Sequence, residues 1–169
     1  MQAGRLAQAH GVRLASAMER SEAILDQWIA RTAEAYPRNA TALLTEDPDP
    51  FRNPVGYALR RSLSRLLDAV LGEMDEVAID SALDPIIRIH AAQALSLNEA
   101  VGFVPLLKPA LQELAPEHNP ARLCGRIDRL TVLALEKYQQ CRDQMVQIRA
   151  REKARAIHLP QRIRKEKRA

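Results

Sequence analysis

The prolines of this chain decide how far its helices can run. Nine of the ten lie at or before Pro120, and the next is Pro160. Proline removes a backbone donor and clashes with the preceding helical turn, so a helix accepts it at its first position and resists it inside. A short polar side chain just before it supplies an N-cap. Asn53-Pro54, Asp84-Pro85 and Asn119-Pro120 repeat that cap-plus-proline pattern. They predict helices from Val55 to about Glu73, from Pro85 onward, and from Asn119. The last meets no proline before Pro160 and reaches about 55–60 Å at the helical rise.

The apolar residues fit these segments. Leu59, Leu63, Leu66, Leu67 and Val70 make one helical face, with Arg60, Arg61 and Arg65 on a solvated one. Ile86, Ile87, Ile89 and His90 give the next helix a wide apolar face, with Asp75 to Leu83 as a short helix leading into it. Ser96-Leu97-Asn98-Glu99 is a capping box and starts another helix near Leu97. Pro105 and Pro109 break or kink that one. On the long helix the seam is Leu123, Ile127, Leu130, Ala134, Cys141, Met145 and Ile148, widened by Val132, Leu133, Leu135, Tyr138 and Val146. Steps of three and four suit a coiled-coil-like contact.

Upstream, residues 2 to 35 read as one or two helices. Leu6, Ala9, Val12, Ala17 and Met18 form a modest stripe, and Ile24, Leu25, Trp28, Ile29 and Ala35 a second, buried set. Trp28, the single tryptophan, needs a partner for its N–H in a core. Tyr36-Pro37 ends the segment. A long connection follows, with a turn of helix over 39–44, the breaker Asp47-Pro48-Asp49-Pro50, and Phe51 as a plug into the core from outside. Pro116-Glu117-His118 links to the long helix, and Gln161 to Ala169 reads as disordered.

Alanine and leucine dominate, and aromatic residues make up only 4%. Sheets favour β-branched and aromatic side chains, so the fold class is all-α. A chain of 169 residues holds one domain with a sizeable core. Residues 149–169 carry nine Lys/Arg and two Glu; the whole chain is +4, which leaves residues 1–148 acidic. The chain therefore divides into a helical domain, 1–148, and a basic extension, 149–169, helical and then disordered. No run of about eighteen apolar residues spans a membrane. Arg5, His10 and Arg13 interrupt any signal-peptide core, so the expected location is the cytoplasm. Cys124 and Cys141, about 25 Å apart on one helix, cannot pair within the chain and read as structural thiols.

Two blocks of residues carry a family resemblance. One is Ile87-Arg88-Ile89, Ala91, Gln93, Ser96, Ala100, Gly102-Phe103 and Leu107-Lys108. The other is Trp28, Tyr36-Pro37, Asp49-Pro50-Phe51 and Asn53-Pro54-Val55-Gly56. Over roughly Trp28 to Glu113 the chain resembles the N-terminal domain of RsbRD-type proteins, co-antagonists of RsbT in bacterial stress signalling. The resemblance implies a regulatory or sensory input module with a globin-like helical packing. In RsbRD the module precedes a STAS domain; here a helix and a basic tail follow, so action on RsbT is not carried over. Stand-alone relatives are associated with the membrane electron-transfer machinery of sulfite reduction, which implies an accessory subunit docking through the tail. Trp28, Phe51, Asn53, Arg88, His90, Gln93, Ser96, Phe103 and Lys108 are the motif positions, forming either a polar pocket or a structural junction. Arg88, His90, Gln93 and Asn98 supply its polar groups. His90 also places an imidazole on a central helix, where a core histidine is the better reading than a haem ligand.

No glycine-rich phosphate loop, GxSxG or HExxH occurs, and no carboxylates form a legible acid/base pair. The expectation is a non-catalytic module without cofactor, acting through protein–protein contact. The alternatives are a small-ligand or haem sensor and the sulfite-reduction accessory subunit. The basic tail offers anionic surfaces electrostatic contact. The partners expected are a second copy of the chain and an unidentified protein. Tyr138, Cys141, Met145 and Ile148, on a helix longer than its domain, are the candidates for the dimer contact.

Overall fold

The computed structural model describes the backbone of residues 2–35, 49–115 and 118–166, and side chains within 16–34, 49–115 and 118–156. Among these are six helices and no strand: α1 (Gln2–Ala35), α2 (Pro54–Leu71), α3 (Glu76–Ala92), α4 (Leu97–Val101), α5 (Leu107–Leu114) and α6 (Pro120–Glu166). The fold is an all-α single helical domain with a long C-terminal helix. The expectations placed on Leu6, Ala9, Val12, Ala35, Tyr36-Pro37, 39–44 and Pro116-Glu117 lie outside the residues so described.

Local signals set most helix starts. Asn53 Oδ1 accepts the N–H of Gly56 at 2.8 Å with Pro54 at the first position. Asn119 Oδ1 accepts those of Ala121 and Arg122 at 3.0 and 3.2 Å. Ser96 and Glu99 make the full capping box on α4. The third proline start fails. Asp75 caps α3 through the N–H groups of Val77 and Ala78, and the helix runs on through Pro85. An internal proline costs about 3 kcal/mol. A continuous buried face, Ile79, Ala82, Leu83, Ile86, Ile87 and Ala91, spans both sides of it and outweighs that cost. Asp84 is free to serve another purpose, described below.

Pro105 sits in the turn between α4 and α5, and Pro109 in the first turn of α5, where no N–H is needed. At the other end of the chain α6 does not stop before Pro160 but continues to Glu166.

The core joins α1 from Ile24 to Ile29 with all the other helices. A four-residue link makes α2 and α3 an antiparallel hairpin. The ion pair Glu76–Arg129 and, further along both helices, the pairs of Lys137 with Asp80 and Asp84 show that α6 runs parallel to α3. Trp28, Phe103, Leu66, Leu83, Ile87, Leu107, Ile127 and Leu130 are among its fully buried side chains. The predicted face of α2 is buried as expected. Ala17 and Met18 are exposed, Met18 at 70%.

Phe51 is no plug: it is 93% exposed. Asp49 Oδ1 accepts the N–H groups of Phe51 and Arg52 at 2.7 and 3.2 Å, and its carbonyl accepts that of Asn53 at 2.8 Å. This Asp-centred turn sets the backbone ahead of α2 and leaves the ring outside.

Candidate functional site

Four of the motif residues, Trp28, His90, Ser96 and Phe103, lie where α3 ends and α4 begins. There the chain reverses through a Schellman turn. Ala94 N–H reaches the Ala91 carbonyl at 3.1 Å and Leu95 N–H the His90 carbonyl at 3.2 Å. Ala94 takes φ 54°, the left-handed position usually given to glycine. The turn aims the Leu95 carbonyl at α6, where it accepts a bond from Tyr138 Oη. Its return chain is held by Ser96 and Glu99: the Ser96 N–H and hydroxyl both donate to Glu99 Oε2. Those bonds hold the Glu99 carboxyl below its usual pKa.

Beneath the turn lies an aromatic stack. Trp28 and Phe103 have ring centroids 6.1 Å apart at 23°, and His90 meets Phe103 edge-on at 6.0 Å and 75°. Trp28 Nε1 donates to the Phe103 carbonyl at 2.7 Å, which satisfies the buried indole. Gly102 precedes that ring; a Cβ there would stand 2.6 Å from the Asn98 carbonyl, so the close turn excludes a side chain. His90 Nδ1 lies 2.7 Å from the Ala100 carbonyl, and as that oxygen only accepts, the ring nitrogen donates. Burial pushes the imidazole below its ordinary pKa, so His90 is neutral at neutral pH.

The polar groups expected beside it do not converge. Gln93 and Asn98 are exposed, and Arg88 points outward to Asp84 at 2.6 Å. Lys108 pairs with Asp128 on α6 at 2.6 Å. Of the motif residues, Trp28, Phe103 and His90 stack, Ser96 caps α4, Asn53 caps α2, and Phe51 stands apart.

The apolar spacing gave no sign of the ladder that ties α6 to α3. Lys137, largely buried, bridges Asp80 and Asp84 at 2.9 and 3.0 Å. Burial works against its charge, but the two carboxylates outweigh it and raise its pKa. The bond from Arg88, then that from Lys137, holds Asp84 below its ordinary value despite partial burial. Arg126 adds a bond to the Val70 carbonyl at 2.6 Å. A signal did exist: Asp80, Asp84 and Arg88 repeat at steps of four on one face of α3.

The dimer candidates separate. Tyr138 and Cys141 are buried by the chain itself, and Met145 packs partly against the core. Burial raises the Cys141 thiol pKa, and both cysteines are free. Val146 is 62% exposed and Ile148 53%. From Val146 to Ala156 every residue is exposed on the surface of α6. The apolar surface left for a partner is accordingly smaller than the sequence suggested.

Among the described residues no cluster of three or more His, Cys, Asp or Glu could hold a metal ion, and no helix is long and apolar enough to cross a membrane. A model of the RsbT co-antagonist protein rsbRD N-terminal domain matches residues 22–153, more than half of the chain. No curated protein and no solved structure matches.

Proposed function

The chain belongs to the family of the RsbT co-antagonist protein rsbRD N-terminal domain, and on that premise we propose that it acts in the cytoplasm by binding protein, as a homodimer that presents a partner-binding surface. The family is one of regulatory, sensor-like signalling domains rather than catalytic ones. The observation that supports contact by α6 is that the helix outruns the core: among the described residues its last buried one is Cys141, and Val146 to Ala156 are all exposed. At about 1.5 Å per residue, that is about 16 Å of uncovered helix. It carries Val146 and Ile148 exposed at its base and the basic run from Arg149 onward. Sedimentation equilibrium tests the dimer: a monomer at tens of micromolar rejects it.

The ligand-sensing alternative rests on His90. Its Nδ1 is engaged with the Ala100 carbonyl and its ring with Phe103, which favours the core role. The expected outcome of haem reconstitution is no stable Soret band. A stoichiometric complex lost in His90→Ala would reverse that reading. The accessory role in sulfite reduction and a globin-like packing rest on the resemblance alone.

A further inference from the structure

Along α6 the residues Tyr138, Cys141, Met145, Ile148, Glu152 and Arg155 follow one another at steps of three and four. Such steps keep one helix face toward a neighbour. Up to Met145 that neighbour is the domain's own core; Ile148, Glu152 and Arg155 continue the face into solvent. The seam therefore turns from apolar to charged as it leaves the domain, and its two charged positions have opposite signs.

Opposite signs three residues apart discriminate between the two ways of pairing identical helices. In a parallel, in-register pair each Glu152 meets Glu152 of the second copy, and each Arg155 meets its own kind. Both contacts repel. In an antiparallel pair with its two-fold axis between residues 153 and 154, Glu152 faces the second copy's Arg155, and the contact occurs twice. A two-fold interface is self-complementary by construction, so a complementary doublet flanking the axis is the arrangement it requires. A helix from another protein would not need the doublet to match itself.

Resting on the homodimer reading above, we propose that the projecting part of α6 pairs antiparallel with a second copy of this chain, with Glu152 and Arg155 setting the orientation. The two domains then lie at opposite ends of a short rod.

The test is sedimentation equilibrium of the full chain and three variants, with circular dichroism to confirm that these exposed changes leave the helices intact. Glu152→Arg and Arg155→Glu each turn two attractions into two repulsions. Each should weaken the dimer about tenfold, from the usual size of such pair energies. The double variant Glu152→Arg/Arg155→Glu restores both pairs with their signs exchanged, and should dimerise within about twofold of the wild type by the same arithmetic. Rescue by the double variant supports the antiparallel pairing. A wild-type dimer that all three leave unchanged, or that the double variant weakens as much as the singles, overturns the orientation and leaves the homodimer standing. A monomeric wild type overturns both.

Discussion

Residues 120–141 and 142–156 of α6 belong to one unbroken helix with one apolar spacing, yet they lead different lives. In the first part Leu123, Ile127, Leu130, Ala134, Tyr138 and Cys141 are buried against the domain. Arg126, Arg129 and Lys137 each reach a named partner on α2 or α3. In the second part the same spacing continues through Met145 and Ile148, but only Met145 touches the core. The difference shows that a helical period reveals which face wants cover and says nothing of how far the cover extends. Where it stops is a property of the short helices opposite. α3 ends at Ala92, and the chain turns back through Ala94 and Leu95 beside Tyr138.

The sharpest way to break this comparison is to empty equivalent seam positions in both parts. Leu130 is fully buried, so Leu130→Ala removes packed volume and should cost about 2–5 kcal/mol. Ile148→Ala should change the stability of the monomeric fold by less than about 0.5 kcal/mol, the usual surface value. Urea denaturation of both, at concentrations low enough to keep the protein monomeric, reads the contrast. Equal losses would mean that the distal part is packed after all.

The turn that ends the cover can be probed next. Ser96→Ala removes one half of the capping box, and the expected loss is about 1 kcal/mol. A thermal melt that overlays the wild type would show that the Glu99 carboxylate holds the turn without it.

A smaller effect of opposite sign is expected two residues earlier. Ala94 sits at φ 54°, where a Cβ is strained and glycine is not. Ala94→Gly should stabilise by about 0.5–1 kcal/mol, the strain relieved less glycine's greater entropy cost. If the variant is less stable, the left-handed turn is not the resting geometry of this junction.

These residues also show what could be read from the sequence. Asn53, Ser96 and Asn119 announce their helices because a cap is a local matter, settled within four residues. Asp84-Pro85 carries the same local sign and misleads, because the face from Ile79 to Ala91 is buried on both sides of the proline. That information lies in α2 and α6, far along the chain. Phe51 misleads for the opposite reason: the Asp49 turn fixes it locally, while aromatic character alone argued for burial. Ala94 gave no sign, since nothing but the turn itself asks for glycine there. Trp28 was legible both as core and as a donor in need of a partner, and Phe103, a motif neighbour, supplies the carbonyl. The placement of the motif's polar groups was less legible: Arg88, Gln93 and Lys108 share a motif in sequence, but helix geometry sends them to different partners or to solvent.

The central claim is that the distal part of α6 is made to be covered by another chain. The most direct measurement is sedimentation equilibrium of the wild type beside Met145→Glu/Ile148→Glu, at tens of micromolar. The account predicts a wild-type dimer, a monomeric double variant, and nearly the same helical circular dichroism for both. A wild type that sediments as a monomer, or a double variant that dimerises as well as the wild type, would contradict it.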